Sequence, residues 1–207
     1  MSGAVLLSAA ALTGYLLGSV PWGLLLLRAV GGPDPRSVGS GNIGATNVTR
    51  AGGRGLGLAT LVLDAVKALA PALFFASIDP RAGALAGLSA VLGHCYPVWL
   101  RFSGGKGVAT FLGACLGLAS PMAPLVFGLT WGAVMGLTRF VSLASVAGCV
   151  AAAVATFVFS YLRDGAHASW PGAALIAASA VVALRHRANF ARIRKGEEPH
   201  VGQGRTA

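Results

Sequence analysis

Long apolar runs alternate with short, polar, glycine-rich turns along the chain, and this pattern predicts helices that cross a membrane. The runs extend from about Ala4 to Val30, Leu56 to Ile78, Ala82 to Leu100, Val108 to Ala119, Pro121 to Thr138, Val141 to Leu162 and Ala168 to Leu184. A helix needs about 20 residues, at about 1.5 Å each, to cross a hydrocarbon core about 30 Å thick. Most of the runs approach that length, but the fourth reaches only about 18 Å. It is expected to be tilted or partly re-entrant, or to join the fifth as one broken span. The fold class that follows is an all-α integral membrane protein with seven transmembrane helices.

The basic residues choose between these counts, because cytoplasmic loops collect Lys and Arg. Seven crossings that start outside put Arg28, Arg36, Arg50, Arg54, Arg101, Lys106, Arg139, Arg185, Arg187, Arg192, Arg194, Lys195 and Arg205 in cytoplasmic segments. Only Arg81 and Arg163 then lie outside. Merging the fourth and fifth runs would strand Arg139 outside and export the basic tail. We therefore expect seven crossings, or six plus a re-entrant hairpin, with the N-terminus outside and the C-terminus cytoplasmic. No Lys or Arg precedes the first run, as one would in a cleaved signal peptide, so that run reads as a permanent span. Residues 1–207 read as a single polytopic domain with a basic cytoplasmic tail at 187–207. The plain expectation for that tail is a solvated segment drawn to anionic lipid, at about 1 kcal/mol per basic residue.

Composition narrows the class. The chain is 55% hydrophobic and 11% charged, against about 25% charged residues in soluble domains. A net charge of +10 would suit a nucleic-acid binder, but such a protein has no use for repeated apolar stretches, so no nucleic-acid partner is expected. The charge points instead to topology and to anionic ligands. Cys95, Cys115 and Cys149 sit inside apolar runs without metal-ligand spacing and read as packing residues, with no metal site. Gly113, Gly117, Gly132 and Gly136 permit close helix packing, either within the chain or between chains.

Three polar segments carry candidate chemistry. The first reads Gly39-Ser40-Gly41-Asn42-Ile43-Gly44-Ala45-Thr46-Asn47-Val48-Thr49-Arg50. Its glycines let the backbone turn and expose successive N–H groups, Ser40, Thr46 and the asparagines offer neutral polar contacts, and Arg50 is a fixed cation. Such a set suits a phosphate or acyl phosphate; the plain alternative is a turn between spans. The second, Arg101-Phe102-Ser103-Gly104-Gly105-Lys106-Gly107, feeds a helix that begins at Val108. Unpaired N–H groups and the helix dipole favour an anion there, and Lys106 adds a whole charge. The Gly-x-x-x-x-Gly-Lys-Ser/Thr spacing of a nucleotide-binding P-loop is absent, so a phosphate monoester is the better ligand. The third is Arg185-His186-Arg187-Ala188-Asn189, followed by Arg192 and Glu198. On a helix that continues past the last span, His186 and Asn189 share a face, with Arg185 and Arg192 nearby. A basic flank of ordinary composition is the alternative there.

Within the second run Asp64 and Lys67 stand three apart, where an unpaired charge would cost at least about 2.5 kcal/mol, so they are expected to neutralise each other or face a polar interior. His94 precedes Tyr96-Pro97 and reads equally as a structural hydrogen-bonding residue, and His167 is a weaker candidate still. Arg139-Phe140-Val141-Ser142 adds a cation and a hydroxyl to the cytoplasmic face. A transporter or channel for phosphorylated metabolites fits some of this, because the Asp64–Lys67 pair and basic loops would line a pathway. Against it, internal repeats are not visible and the polar motifs crowd one face.

Taken in order, Gly18-Ser19-Val20-Pro21-Trp22-Gly23, the Gly39 to Arg50 loop, Asp64-x-x-Lys67, Gly93-His94, Gly104 to Thr110, Arg139 to Ser142 and Arg185-His186-x-x-Asn189 through Glu198 resemble the bacterial acyl-phosphate:glycerol-3-phosphate acyltransferases of the PlsY type. Ala68 stands where that family often has Gly, and Phe140 where it often has Tyr. The resemblance implies transfer of a fatty acyl group from acyl phosphate to the 1-hydroxyl of sn-glycerol 3-phosphate. The products are lysophosphatidic acid and inorganic phosphate, in the first committed step of phospholipid synthesis at the bacterial inner membrane. It also implies contact with membrane lipid and a functional link to the enzyme that makes acyl phosphate. Acyl phosphate is already an activated mixed anhydride, so no cofactor is expected.

On this resemblance, Ser40, Asn42, Thr46, Arg50, Lys106, His186 and Asn189 are expected to act on the reacting groups. Gly39, Gly41, Gly44, Gly104, Gly105, Gly107, Arg139, Ser142 and Arg185 are expected to bind substrate, and Asp64, Lys67 and Glu198 to be structural. The hydroxyl has three conceivable activators: a covalent acyl-Ser40 intermediate, His186 as general base, or the substrate's own phosphate. The resemblance implies direct, substrate-assisted attack, the third of these.

Overall fold

A computed structural model describes residues 2–118, 120, 122–165 and 169–201, all of them helix, turn or irregular. The expected span ends at Ala119, Pro121 and Ala168, together with His167, Arg205 and the rest of 202–207, lie outside the described residues. Among the described residues ten α-helices follow in order: α1 (Gly3–Gly18), α2 (Trp22–Ala29), α3 (Ala45–Gly52), α4 (Arg54–Ala76), α5 (Pro80–Cys95), α6 (Val108–Gly117), α7 (Met122–Thr138), α8 (Val141–Asp164), α9 (Trp170–Arg185) and α10 (Arg187–Lys195). Short 3₁₀ turns occupy Pro35–Ser37 and Val98–Leu100.

Among the described residues, four stretches are long and apolar enough to cross a membrane: Gly3–Ala29, Arg54–Ala76, Pro80–Leu100 and Val141–Arg163. The helices Val108–Gly117, Met122–Thr138 and Trp170–Arg185 are apolar but shorter. At ten residues α6 spans only about 15 Å, which agrees with the short fourth element expected from its sequence.

The first run is not one helix. It breaks at Ser19-Val20-Pro21, because Pro21 has no N–H to continue the ladder; Leu24 and Leu25 both donate to the Pro21 carbonyl instead. The last helix is also divided. His186 closes α9, donating its N–H to Val182 and Ala183, and a new helix starts at Arg187. His186 and Asn189 therefore do not sit on one uninterrupted helix as the i, i+3 spacing suggested. Nor is 187–201 a loose tail: α10 buries Asn189, and beyond it Glu198 is buried too. The Val201 N–H donates to the Arg139 carbonyl at 3.1 Å and the His200 ring lies against Phe140, 4.2 Å between centroids.

Helix α5 is the axis of the molecule, packed against α1, α4, α6 and α9. Its small residues allow this. Gly14 and Gly18 of α1 lie directly against the Ala86 and Ala90 backbone, and Gly113 of α6 against Ala65 of α4, so a β-carbon on any of these glycines would overlap main chain. Ala68 is fully buried in the central apolar cluster with Val91, Phe111 and the three cysteines, all of them free thiols. Helix α7 differs: it packs mainly on α8, and Gly128, Gly132 and Gly136 face open space.

Candidate active site

The Gly39 to Arg50 segment is half loop and half helix. Gly39 and Gly41 have φ of +57° and +67°, a left-handed backbone that favours glycine, and α3 begins at Ala45. Gly44 caps α3 without a side-chain bond, and its carbonyl accepts from the Asn47 and Val48 N–H groups at 3.0 and 3.1 Å. The organiser of the loop is Asn47, which residue spacing did not single out. Its buried amide reaches the carbonyls of Pro35 at 2.6 Å, Asn42 at 2.8 Å and Val38 at 3.0 Å, and its Oδ1 accepts from the Ser40 N–H at 3.1 Å. Asn42 in turn accepts from the Gly44 N–H at 2.8 Å. Ser40, Thr46 and Arg50 are left exposed on the rim. The available signal for Asn47 was a second Asn in a glycine-rich loop, and that signal does not say which Asn turns inward.

Beside this rim a cleft of about 440 Å³ is lined by Ala45, Thr46, Thr49 and Arg50 on α3 and by Gly57, Leu58 and Leu61 on α4. One wall is polar and cationic and the other carries leucines that face outward.

The Gly104 to Gly107 loop is tied on both sides. The N–H groups of Gly104 and Gly105 donate to the carbonyls of Cys95 and His94, at 3.3 and 3.0 Å. The Gly104 and Gly105 carbonyls accept from the Arg185 guanidinium at 2.8 and 3.0 Å. Arg185 also lies over the Tyr96 ring, 5.2 Å from its centroid. Predicted as a substrate ligand, Arg185 is thus found bracing the loop. Gly107 takes φ +86° and opens α6 with no side-chain cap.

Lys106, from that loop, donates to Asn189 Oδ1 at 2.7 Å. Asn189 donates to Glu198 Oε1 at 2.7 Å, Ser142 donates to the same oxygen at 2.8 Å, and Arg192 reaches Glu198 Oε2 at 2.8 Å. Glu198 accepts all of these bonds, and Ser142, expected on substrate, is one of its partners. Burial pulls the Glu198 carboxyl up, but the bonds from Asn189, Ser142 and Arg192 outweigh it and hold the pKa below the ordinary value. Arg139 is exposed, with φ +58°.

Burial lowers the Lys106 pKa to about 8; Glu198 opposes this, and the charges of Arg192, Arg185 and Arg50 add to it. Residues from three distant segments therefore press positive charge on one spot. His186 is buried and its Nδ1 lies 2.8 Å from the Val182 carbonyl, which can only accept, so the ring proton sits on Nδ1 and Nε2 keeps a lone pair. Burial, despite the Val182 bond, lowers its pKa to about 4, so the ring is neutral at physiological pH.

The Asp64–Lys67 pair neutralises itself, 2.8 Å apart and buried. Lys67 Nζ also donates to Val20 O at 2.8 Å and reaches His94 Nδ1 at 2.9 Å, so this charge sits inside a buried, partnered cluster. Among the described residues no His, Cys, Asp and Glu cluster is arranged to hold a metal.

The family model for glycerol-3-phosphate acyltransferase matches residues 8–196. The chain belongs to the glycerol-3-phosphate acyltransferase family. Glycerol-3-phosphate acyltransferase of Mesorhizobium japonicum is 47% identical over 189 residues, 91% of this chain and 93% of that protein. The Anaeromyxobacter acyltransferase is 49% identical over 191 residues, covering 89% and 91%. Crystal structures of PlsY, an integral membrane glycerol 3-phosphate acyltransferase, match with a TM-score of 0.85 in the glycerol 3-phosphate form and 0.84 in the lysophosphatidic acid form. These are 38% and 37% identical and cover 95% of this chain, and 96% and 95% of theirs. Like those acyltransferases, this one is an integral membrane protein.

Proposed function

We propose that the protein transfers a fatty acyl group from acyl phosphate to the 1-hydroxyl of sn-glycerol 3-phosphate, releasing lysophosphatidic acid and inorganic phosphate. The observation that carries this reading is the convergence of Arg50, Lys106, Arg185 and Arg192 on one polar cluster, with Glu198 the acidic group among them. Such a cluster is short of negative charge and is suited to phosphate. Family membership and the bound forms of PlsY support the substrate class.

Glycerol 3-phosphate goes to the Lys106 side in this reading. The first turn of α6 and Lys106 take its phosphate, while Asn189 and the His186 Nε2 lone pair orient its hydroxyls. Acyl phosphate goes to the Ser40, Asn42, Thr46 and Arg50 side, its chain running past Leu58 and Leu61. That choice follows from the cleft, which joins cationic and apolar walls as an acyl phosphate requires.

The hydroxyl oxygen attacks the acyl carbon, the bond from that carbon to the phosphate oxygen breaks, and the hydroxyl proton ends on phosphate. A base with a pKa of about 4 is a feeble proton acceptor at neutral pH, which favours a substrate phosphate as the base over His186. The protein's contribution is positioning and charge stabilisation.

We place the protein in the bacterial inner membrane with seven crossings, counting α1–α2 as one broken span, then α4, α5, α6, α7, α8 and α9. The N-terminus is outside and the site cytoplasmic, in keeping with the distribution of Lys and Arg. Residues 1–207 act as one domain, with a functional link to the enzyme that makes acyl phosphate. The test is to incubate detergent-purified protein with glycerol 3-phosphate and, separately, a synthetic acyl phosphate, acyl-CoA or acyl carrier protein. Lysophosphatidic acid and phosphate are expected with acyl phosphate alone. Product only from acyl-CoA or acyl carrier protein would refute the donor, and no product from any of them the enzyme itself.

A further inference from the structure

The loop that carries Lys106 rests on a polar cluster buried among the spans. Lys67 of α4 stands at its centre, ion-paired with Asp64 Oδ1 at 2.8 Å and hydrogen-bonded to Val20 O at 2.8 Å and His94 Nδ1 at 2.9 Å. Val20 lies at the Pro21 break, where the helical ladder is interrupted. An ammonium can only donate, so Nδ1 of His94 accepts and the proton of a neutral ring lies on Nε2. That Nε2 edge lies against Gly105, so close that a β-carbon at 105 would overlap the imidazole.

Gly105 does not have a positive φ, unlike Gly107. An alanine at 105 is therefore excluded by the His94 ring and not by backbone strain. Gly104 differs, since a β-carbon there would meet the His94 carbonyl and Pro97.

We propose that Asp64, Lys67 and His94 form a positioning device: the charge pair fixes the His94 ring, and the ring is the floor that sets the height of the Gly104 to Lys106 loop. The same ammonium holds the Pro21 break, from which α2 leads towards the Gly39 loop, so one buried cation aligns both substrate loops. This rests on the reading that the Lys106 loop binds the phosphate of glycerol 3-phosphate.

The test is a double-mutant cycle on Gly105 and His94, read as KM and kcat for glycerol 3-phosphate and as thermal unfolding in detergent. Gly105→Ala is expected to raise KM about tenfold, with kcat changed less than about threefold, as the methyl pushes the loop off its floor. His94→Ala makes room for that methyl, so the double variant should recover KM to within about threefold of His94→Ala alone. His94→Asn, which still offers Lys67 an acceptor, replaces His94→Ala if the latter does not fold. A double variant as impaired as the product of the two singles overturns the proposal. Lys106→Ala in the same assay separates the two readings. If it leaves KM unchanged, the phosphate assignment falls, and the floor is then judged by melting temperature alone. There the double variant must still recover what Gly105→Ala loses, or the proposal falls too.

Discussion

Asn47 holds the first loop through one buried side chain, so replacing it opens that loop without touching the core. Its amide serves three carbonyls and its Oδ1 one N–H, and residues 35, 38, 40 and 42 all depend on it. A net hydrogen bond contributes about 1 kcal/mol, and the bonds share one donor group, so Asn47→Ala should favour the open loop by about 2–3 kcal/mol. That corresponds to about a 30- to 150-fold rise in the open population. Arg36 lies in the segment that Asn47 ties down, and limited trypsin digestion at that site reports opening directly, because cleavage follows the open population when reclosing is fast. Trypsin sensitivity should rise by that factor, lysophosphatidic acid formation should fall only as far as the open loop becomes the major state, and the melting temperature should move little. Asn47→Asp is the sharper variant. It keeps the size but points a carboxylate at three carbonyls, so it should open the loop at least as far as Ala does. Full activity and unchanged trypsin resistance in Asn47→Asp would refute the role assigned to the amide.

Further expectations concern charge at the site. Lys106 is cationic below its pKa of about 8 and loses its charge above it, so anion affinity falls as pH rises. Measured as kcat/KM for glycerol 3-phosphate, activity should be level near neutrality, above the phosphate's second ionisation at about pH 6, and decline beyond about pH 8. Lys106→Arg should abolish that alkaline decline; its persistence would assign the limb to another group. His186→Gln removes the imidazole while keeping a polar side chain, and kcat should remain within about tenfold of the parent if the ring orients a hydroxyl. A loss of about a thousandfold in kcat at unchanged KM would restore His186 as general base.

Periodicity and charge alone are enough to read a helical membrane protein, a short fourth element and three basic polar segments. These follow from local quantities, chiefly the length of apolar runs and the loops in which Lys and Arg fall. The outline of the site is legible for the same reason, since Gly39, Gly41 and Gly107 mark turns by their own backbone freedom. Which polar side chains bond to one another and hold the frame was decided by the tertiary structure. Ser142 and Arg185 read equally well as ligands, yet they bond Glu198 and the Gly104 and Gly105 carbonyls, partners 56 to 81 residues away. Asn42 and Asn47 are alike in sequence, and only packing turned Asn47 inward. Gly113 and Gly132 carry the same signal, but one lies against α4 and the other faces open space. A residue's type limits what it can bond; its neighbours, brought in from distant segments, determine which of those bonds forms.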